Sequence, residues 1–343
     1  MGDSPSPNMD SFIFGDDGFF YDPFGEPCVL MGTVEFRTLC HRLDGAFASP
    51  LGRKLIYAAT DAEERALRGQ SSVQFGRWFG KSKATNRLRQ RATEMGWGGF
   101  EDDGIVAPAH DALTVGFSLA HHEHAHRRRA NVEWVQSSAE VIHLTFSDKP
   151  EPMVPASAPE PLSWFGSTHA GLGSGRIEML LDQRERSFFN GEERSFFLSP
   201  QFFWHLFDAL LGRPLAVDYE PSVNLDVKAF VEQPAVFSAV VDAACTAFSA
   251  SERPVYVQTP DDWLGHFNAR ITGRGFGHVR VEKSLLSGDD VSVFDVLSPV
   301  APVAVGLLIG MWQRAHGTVG DVKIEPLSEG LRVSLRLRSV DYL

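Results

Sequence analysis

An α+β fold of two similar domains, each with helices packed on a small antiparallel sheet, is predicted by three observations. The chain repeats one order of motifs in its two halves. Within each half, apolar residues at helical spacing give way to strand-like alternation. A Pro/Gly-rich stretch at 148–175 separates the halves and reads as a linker between an acidic N-terminal segment plus first domain (1–27 and 28–147) and a second domain (176–343).

The repeat is legible without a gap across its central helix. Setting Val115-Gly116 on Val305-Gly306 brings Ala125-His126 onto Ala315-His316 and Val132 onto Val322. Upstream, MGWGGFEDD (95–103) matches RGFGHVRVE (274–282), and downstream SAEVIHLTF (138–146) matches EGLRVSLRL (329–337). Each half is therefore expected to run helix, helix, a Gly-aromatic-Gly turn into a strand, a second strand, a Pro-started helix and a closing hairpin.

Taken in order, residues 1–30 carry Asp3, Asp10, Asp16, Asp17, Asp22 and Glu26 with no Lys or Arg, half of the net charge of −12. Phe12, Phe14, Phe19, Phe20 and Phe24 accompany them, more aromatic surface than a solvating tail needs. The expectation is a segment that docks by these rings, onto this chain's own basic stretch or onto a second protein or subunit. Val34, Leu39 and Leu43 place a helix at 33–47. The basic stretch at 77–91 holds Arg77, Lys81, Lys83, Arg87, Arg89 and Arg91 with Trp78 and Phe79 and no acid; it is the best candidate for nucleic acid, acidic protein or simple solvation as a helix face. ERSFF at 185–189 recurs at 193–197 around Asn190-Gly191, which predicts a hairpin. Ser199 and Pro200 read as N-cap and first residue of a helix that stops at Gly212. Leu331, Val333, Leu335 and Leu337 alternate with Arg332, Ser334, Arg336 and Arg338, a strand with one buried and one basic face.

With GRKLIYAAT (52–60), GWG (96–98), GFG (275–277), the helix VAVGLLIGMW and the hairpin at 322–337 in view, the chain resembles two tandem 4-vinyl-reductase-type ligand-binding domains, related in fold to Golgi-transport subunits and nitric-oxide-sensing domains. The resemblance implies binding of a small hydrophobic molecule, or assembly and sensing, rather than catalysis. The cysteines by which some members hold zinc near the last hairpin are missing from VKIEPLSEGLRVSLRL, so that metal site is not expected. DAEERAL (61–67) replaces the small residues that follow the family's early helix, which directs the expected ligand to the second half, where Phe237, Val241, Trp263, Phe267, Phe276 and Trp312 supply an apolar lining.

Several function classes find no support. The net charge of −12 disfavours a nucleic-acid-binding protein, and the longest apolar stretch, Val300 to Trp312, is too short to span a bilayer. Three cysteines (Cys28, Cys40, Cys245) without a C-x-x-C pair, and a start MGDSPSPNMD without an apolar leader, suit a reducing cytoplasm. G-x-S-x-G is missing, and no spacing selects a general acid and base, so an enzyme has no positive evidence. GLGSGR (171–176) is not G-x-G-x-x-G and predicts no nucleotide site. In HHEHAH (121–126), His122 and His126 stand four apart and can share a metal on one helix face; with no third ligand identifiable, a helix C-terminus with basic residues beside its carbonyls is the preferred reading. No cofactor is expected. The sequence thus points to a cytoplasmic regulatory or assembly adaptor whose partner is another protein or a second copy, with a small apolar ligand in the second domain. A metal-assisted enzyme on the 121–126 histidines and a nucleic-acid regulator using 77–91 are the alternatives.

Overall fold

The computed structural model describes residues 9–68, 70, 73, 80–166, 181–184, 186–227 and 231–337. It is an α+β fold. The first half runs β1 (Ile13–Phe14), β2 (Phe20–Tyr21), β3 (Pro27–Gly32), α1 (Thr33–Ala46), α2 (Lys54–Leu67), α3 (Gly80–Glu94), β4 (Gly99–Phe100), β5 (Gly104–Val106), α4 (Asp111–His126), β6 (Arg128–Ser138) and β7 (Val141–Pro152). The second runs β8 (Asp182–Arg184), β9 (Ser187–Asn190), β10 (Glu193–Leu198), α5 (Pro200–Asp208), β11 (Asn224–Val227), α6 (Pro234–Ala250), α7 (Asp262–Arg270), β12 (His278–Lys283), β13 (Ser292–Leu297), α8 (Ala301–His316), β14 (Gly320–Pro326) and β15 (Leu331–Leu337).

Local chemistry explains many of these boundaries. Ser199 caps α5 by accepting from the Gln201 N–H at 3.2 Å, and Pro200 follows; α5 ends at Asp208 and turns continue to Gly212, four residues short of the expected stop. Asn190-Gly191 closes β9 and β10 into a hairpin, with Gly191 at φ 66°, a conformation that costs glycine little. In β15, Leu331, Val333 and Leu335 are buried while Arg332 on the other face pairs with Asp295 at 2.7 Å.

The two halves share one topology. The first-half sheet has the order β4-β5-β7-β6; the second has β12-β13-β15-β14, with β11 added parallel to β14. In both halves a glycine brings the two long helices together. A Cβ on Gly116 of α4 would stand 2.4 Å from the Ile56 carbonyl oxygen of α2, and one on Gly306 of α8 would stand 2.4 Å from that of Val241 in α6.

The halves are interlocked rather than strung on a linker. β3 and β10 pair antiparallel at the centre of the six-stranded sheet β1-β2-β3-β10-β9-β8, and each leads directly into a helix that packs on the other half, α1 on α6 and α5 on α2. Arg42 donates to Asp242 at 2.7 Å, Arg274 to the Leu30 carbonyl at 3.0 Å, and the Trp97 indole N–H to the Phe197 carbonyl at 2.8 Å. A single apolar cluster runs through both halves. The stretch expected to be a linker begins inside β7, and its later residues Leu162, Trp164 and Phe165 are buried, the Trp164 indole donating to the Glu232 carbonyl at 2.7 Å. Its Gly171, Gly173 and Gly175, with the GLGSGR run, lie outside the described residues.

Candidate functional site: a histidine-lined cleft in the first half

The N-terminal segment is tied to α3, one of the helices that line the site. Phe12, Phe14, Phe19 and Phe20 are buried, Phe12 against Phe197 with centroids 4.7 Å apart and Phe14 against Phe20 at 4.9 Å. The chain then turns at Asp22, one of whose oxygens accepts the Phe24 and Glu26 N–H groups at 2.8 and 2.9 Å. The other accepts from Arg91 of α3 at 2.6 Å, with both side chains at most 2 % exposed. Arg91 also forks onto Glu63 of α2 at 2.8 and 3.1 Å, and its guanidinium lies 4.2 Å from the Phe24 ring centre. His121 of α4 closes the chain of contacts by donating to Glu63 at 3.0 Å.

The electrostatics of this network follow from its burial. Desolvation opposes the charge on Arg91, but Asp22 and Glu63 outweigh it and the guanidinium is held more firmly protonated than usual. Desolvation likewise pushes Glu63 up, and Arg91 with His121 overcomes it, leaving the carboxyl below its ordinary value. DAEERAL is thus no loose departure: Glu63 anchors α3 and α4, and its neighbour Glu64 takes Arg68 at 2.6 Å and Arg129 at 2.8 Å.

Beside this network, and sharing His121 with it, lies a cleft of about 560 Å³ between α3, α4 and the β4-β5-β7 face, lined among others by Thr85, Arg89, Phe100, Ser118, His122 and Phe146. His122 stacks on Phe146, with ring centres 4.2 Å apart and planes 13° from parallel. His122 and His126 share a third residue that spacing could not identify. Asp148 of β7 accepts from His122 Nε2 at 2.7 Å and from His126 Nδ1 at 3.1 Å. Hydrogen bonds from the two rings hold the Asp148 carboxyl below its usual range, and burial lowers His122 despite Asp148, so a neutral imidazole faces a carboxylate at neutral pH.

No family model, curated protein or solved structure matches the chain. The comparison that informs the site is therefore internal. On the Gly116/Gly306 alignment, Ser118, His121, His122 and His126 correspond to Leu308, Met311, Trp312 and His316. The hairpin register extends it: Ala130 faces Asp148, and Gly320, its counterpart, faces Leu337. Leu308, Met311 and Trp312 are fully buried, the Trp312 indole donating to Ser292 at 3.1 Å. Where the first half has a polar cleft, the second has a filled core.

The remaining residues singled out by sequence are distributed as follows. Phe237, Val241, Trp263, Phe267, Phe276 and Trp312 are each at most 1 % exposed and belong to the common core. Of the basic stretch, Arg87 is bound to Glu94 at 2.7 Å, Arg89 pairs with Asp102, and Arg91 is buried. Lys83 is exposed; Arg77, Trp78, Phe79 and the Lys81 side chain lie outside the described residues. Cys28, Cys40 and Cys245 are buried free thiols, and burial pushes Cys245 up to about 12 and the other two well above the ordinary value, so none supplies a thiolate. Among the described residues no helix is long and apolar enough to cross a membrane.

Proposed function

We propose that this chain is a non-enzymatic regulatory or assembly module of the cytoplasm, in which the first half binds a small ligand in the α3/α4 cleft and the second half serves as its scaffold. The observation that carries this reading is the contrast between equivalent positions: Ser118, His121 and His122 border open space, whereas Leu308, Met311 and Trp312 fill it. Duplication followed by filling of one cleft leaves one binding site and one structural copy. Three features favour a binder over an enzyme or a nucleic-acid protein. The thiols are held protonated. The described arginines of α3 are turned onto Glu63, Glu94, Asp22 and Asp102 instead of forming a free cationic face. The mixed lining of Arg89, Thr85, Ser118, Phe100 and Phe146 suits a compound with an aromatic body and polar edge better than a purely apolar one.

The test is ligand-observed NMR and native mass spectrometry against a library of small polar aromatic compounds. Wild type should bind one chemical class and return it unchanged. Ala125→Trp, which places an indole in the cleft, should abolish binding, while His316→Ala in the second half should not. Conversion of a bound compound, the lack of any binder, or binding indifferent to Ala125→Trp would each overturn the reading.

A further inference from the structure

We propose that His122, His126 and Asp148 form a site for a divalent transition metal of the zinc class, open on its cleft side. The three donor atoms lie within 4.8 Å of one another. A tetrahedral ion with bonds of about 2.0–2.1 Å needs ligand atoms about 3.3 Å apart, so the 2.7 and 3.1 Å separations from Asp148 are already close to those of a coordination shell. Binding would replace two hydrogen bonds: the protons that His122 Nε2 and His126 Nδ1 give to Asp148 move to the rings' other nitrogens, and the freed lone pairs meet the ion.

The geometry is held in place from both sides. His122 and His126 are one turn apart on α4, with ring centres 4.0 Å from each other. Asp148 is set by the β6-β7 ladder, where it faces Ala130. Phe146, two residues earlier and therefore on the same face of β7, fixes the His122 ring by stacking. None of the three is sealed: their side chains are 17 %, 33 % and 37 % exposed, which leaves an ion reachable from solvent.

Donor chemistry selects the occupant. Two imidazoles and one carboxylate without a thiolate suit Zn²⁺ and its first-row neighbours, not Cu⁺, and are too rich in nitrogen for Ca²⁺ or Mg²⁺. Three protein ligands leave at least one position for water or a ligand atom, the pattern of an open rather than a closed structural site. Both histidines border the cleft, so that position faces it. Glu101, Asp102 and Asp103 against Arg89 leave the cleft lining net negative, which favours cation entry. The second half cannot repeat the site, since Trp312, His316 and Leu337 stand at the three equivalent positions. The metal assignment is independent of the small-ligand reading.

The experiment is Zn²⁺ titration of the full chain by calorimetry and equilibrium dialysis, with Co²⁺ as a spectroscopic probe. Twelve histidines make weak adventitious uptake a background, so the comparison with variants decides. Wild type should take one equivalent, and its Co²⁺ form should show ligand-field bands that Zn²⁺ quenches. His122→Ala, His126→Ala and Asp148→Asn should each weaken binding by about 100-fold or more, Asp148→His should retain it, and His316→Ala should match wild type. Circular dichroism and the urea midpoint of each variant establish that the fold persists. Wild-type uptake no greater than that of the variant carrying His122→Ala, His126→Ala and Asp148→Asn together, or one equivalent retained in each single variant, overturns the proposal.

Discussion

Arg91→Met keeps the aliphatic stem of the side chain and removes its charge, leaving Asp22 and Glu63 facing each other in a region where both are at most 2 % exposed. At 2.6 and 2.8 Å and an effective dielectric of about 20, each contact carries a gross attraction of about 6 kcal/mol. Desolvation of the three charges cancels much of that in the wild type. It is not returned when only the cation goes, so the expected loss is about 3–5 kcal/mol in urea unfolding at neutral pH. Asp22→Asn should cost less, about 1–2 kcal/mol, because Arg91 keeps Glu63 and the backbone turn keeps its acceptor. The triple change Asp22→Asn, Glu63→Gln, Arg91→Met should recover most of the loss, since no charge remains buried. The pH dependence has a definite sign. Glu63 is depressed in the folded state, so its contribution is present above the unfolded carboxyl value of 4.5 and lost as pH falls through the lower folded value. Without Arg91, burial raises that carboxyl, so the penalty should shrink as pH falls through the raised value toward 4.5, and further below 4.5 as the wild type loses its own stabilisation. Hydrogen exchange supplies the second readout: amides 12–24 should lose protection in Arg91→Met and Asp22→Asn. A neutral-pH penalty under about 1 kcal/mol, or unchanged protection of the segment, would refute the view that this network ties the N-terminal strands to α2 and α3.

Two further outcomes are expected. Gly116→Ala and Gly306→Ala should each destabilise by about 1–3 kcal/mol, because the new methyl meets a carbonyl oxygen at 2.4 Å and the helices must part; Gly265→Ala, with nothing within 4 Å in the exposed middle of α7, should instead stabilise by up to about 1 kcal/mol, and chemical denaturation of the three variants checks the contrast. Asp61 is pushed up to about 6 by burial and by Glu64, so its ionisation destabilises the fold at pH 7 and ceases to matter below its unfolded value of 3.8. Asp61→Asn should add about 1–2 kcal/mol at pH 7, the full shift discounted for partial exposure, with the gain vanishing near pH 4; a gain equal at both pH values would refute the assignment.

Features set by near neighbours in the chain were legible from sequence alone. The Asn190-Gly191 hairpin, the Ser199 cap, helix α1 and the alternation in β15 depend on dihedral preference and periodicity within a dozen residues. The gapless alignment of Val115-Gly116 with Val305-Gly306 was equally visible, and its physical content is a helix pair that requires glycine at one crossing point. The site was only half legible. His122 and His126 announced themselves by spacing, but Asp148 is 22 residues beyond His126, and its approach depends on the register of a long hairpin folding back on α4. Nor could composition show that Arg91 would leave the basic stretch to bind Asp22 across 69 residues, or that α1 and α5 would each cross to the other half. Such contacts are decided by which surfaces remain apolar once every element has formed. Whether Trp312 lines a pocket or fills one is likewise a question of volume, settled only when α6, α8 and the second sheet close around the ring.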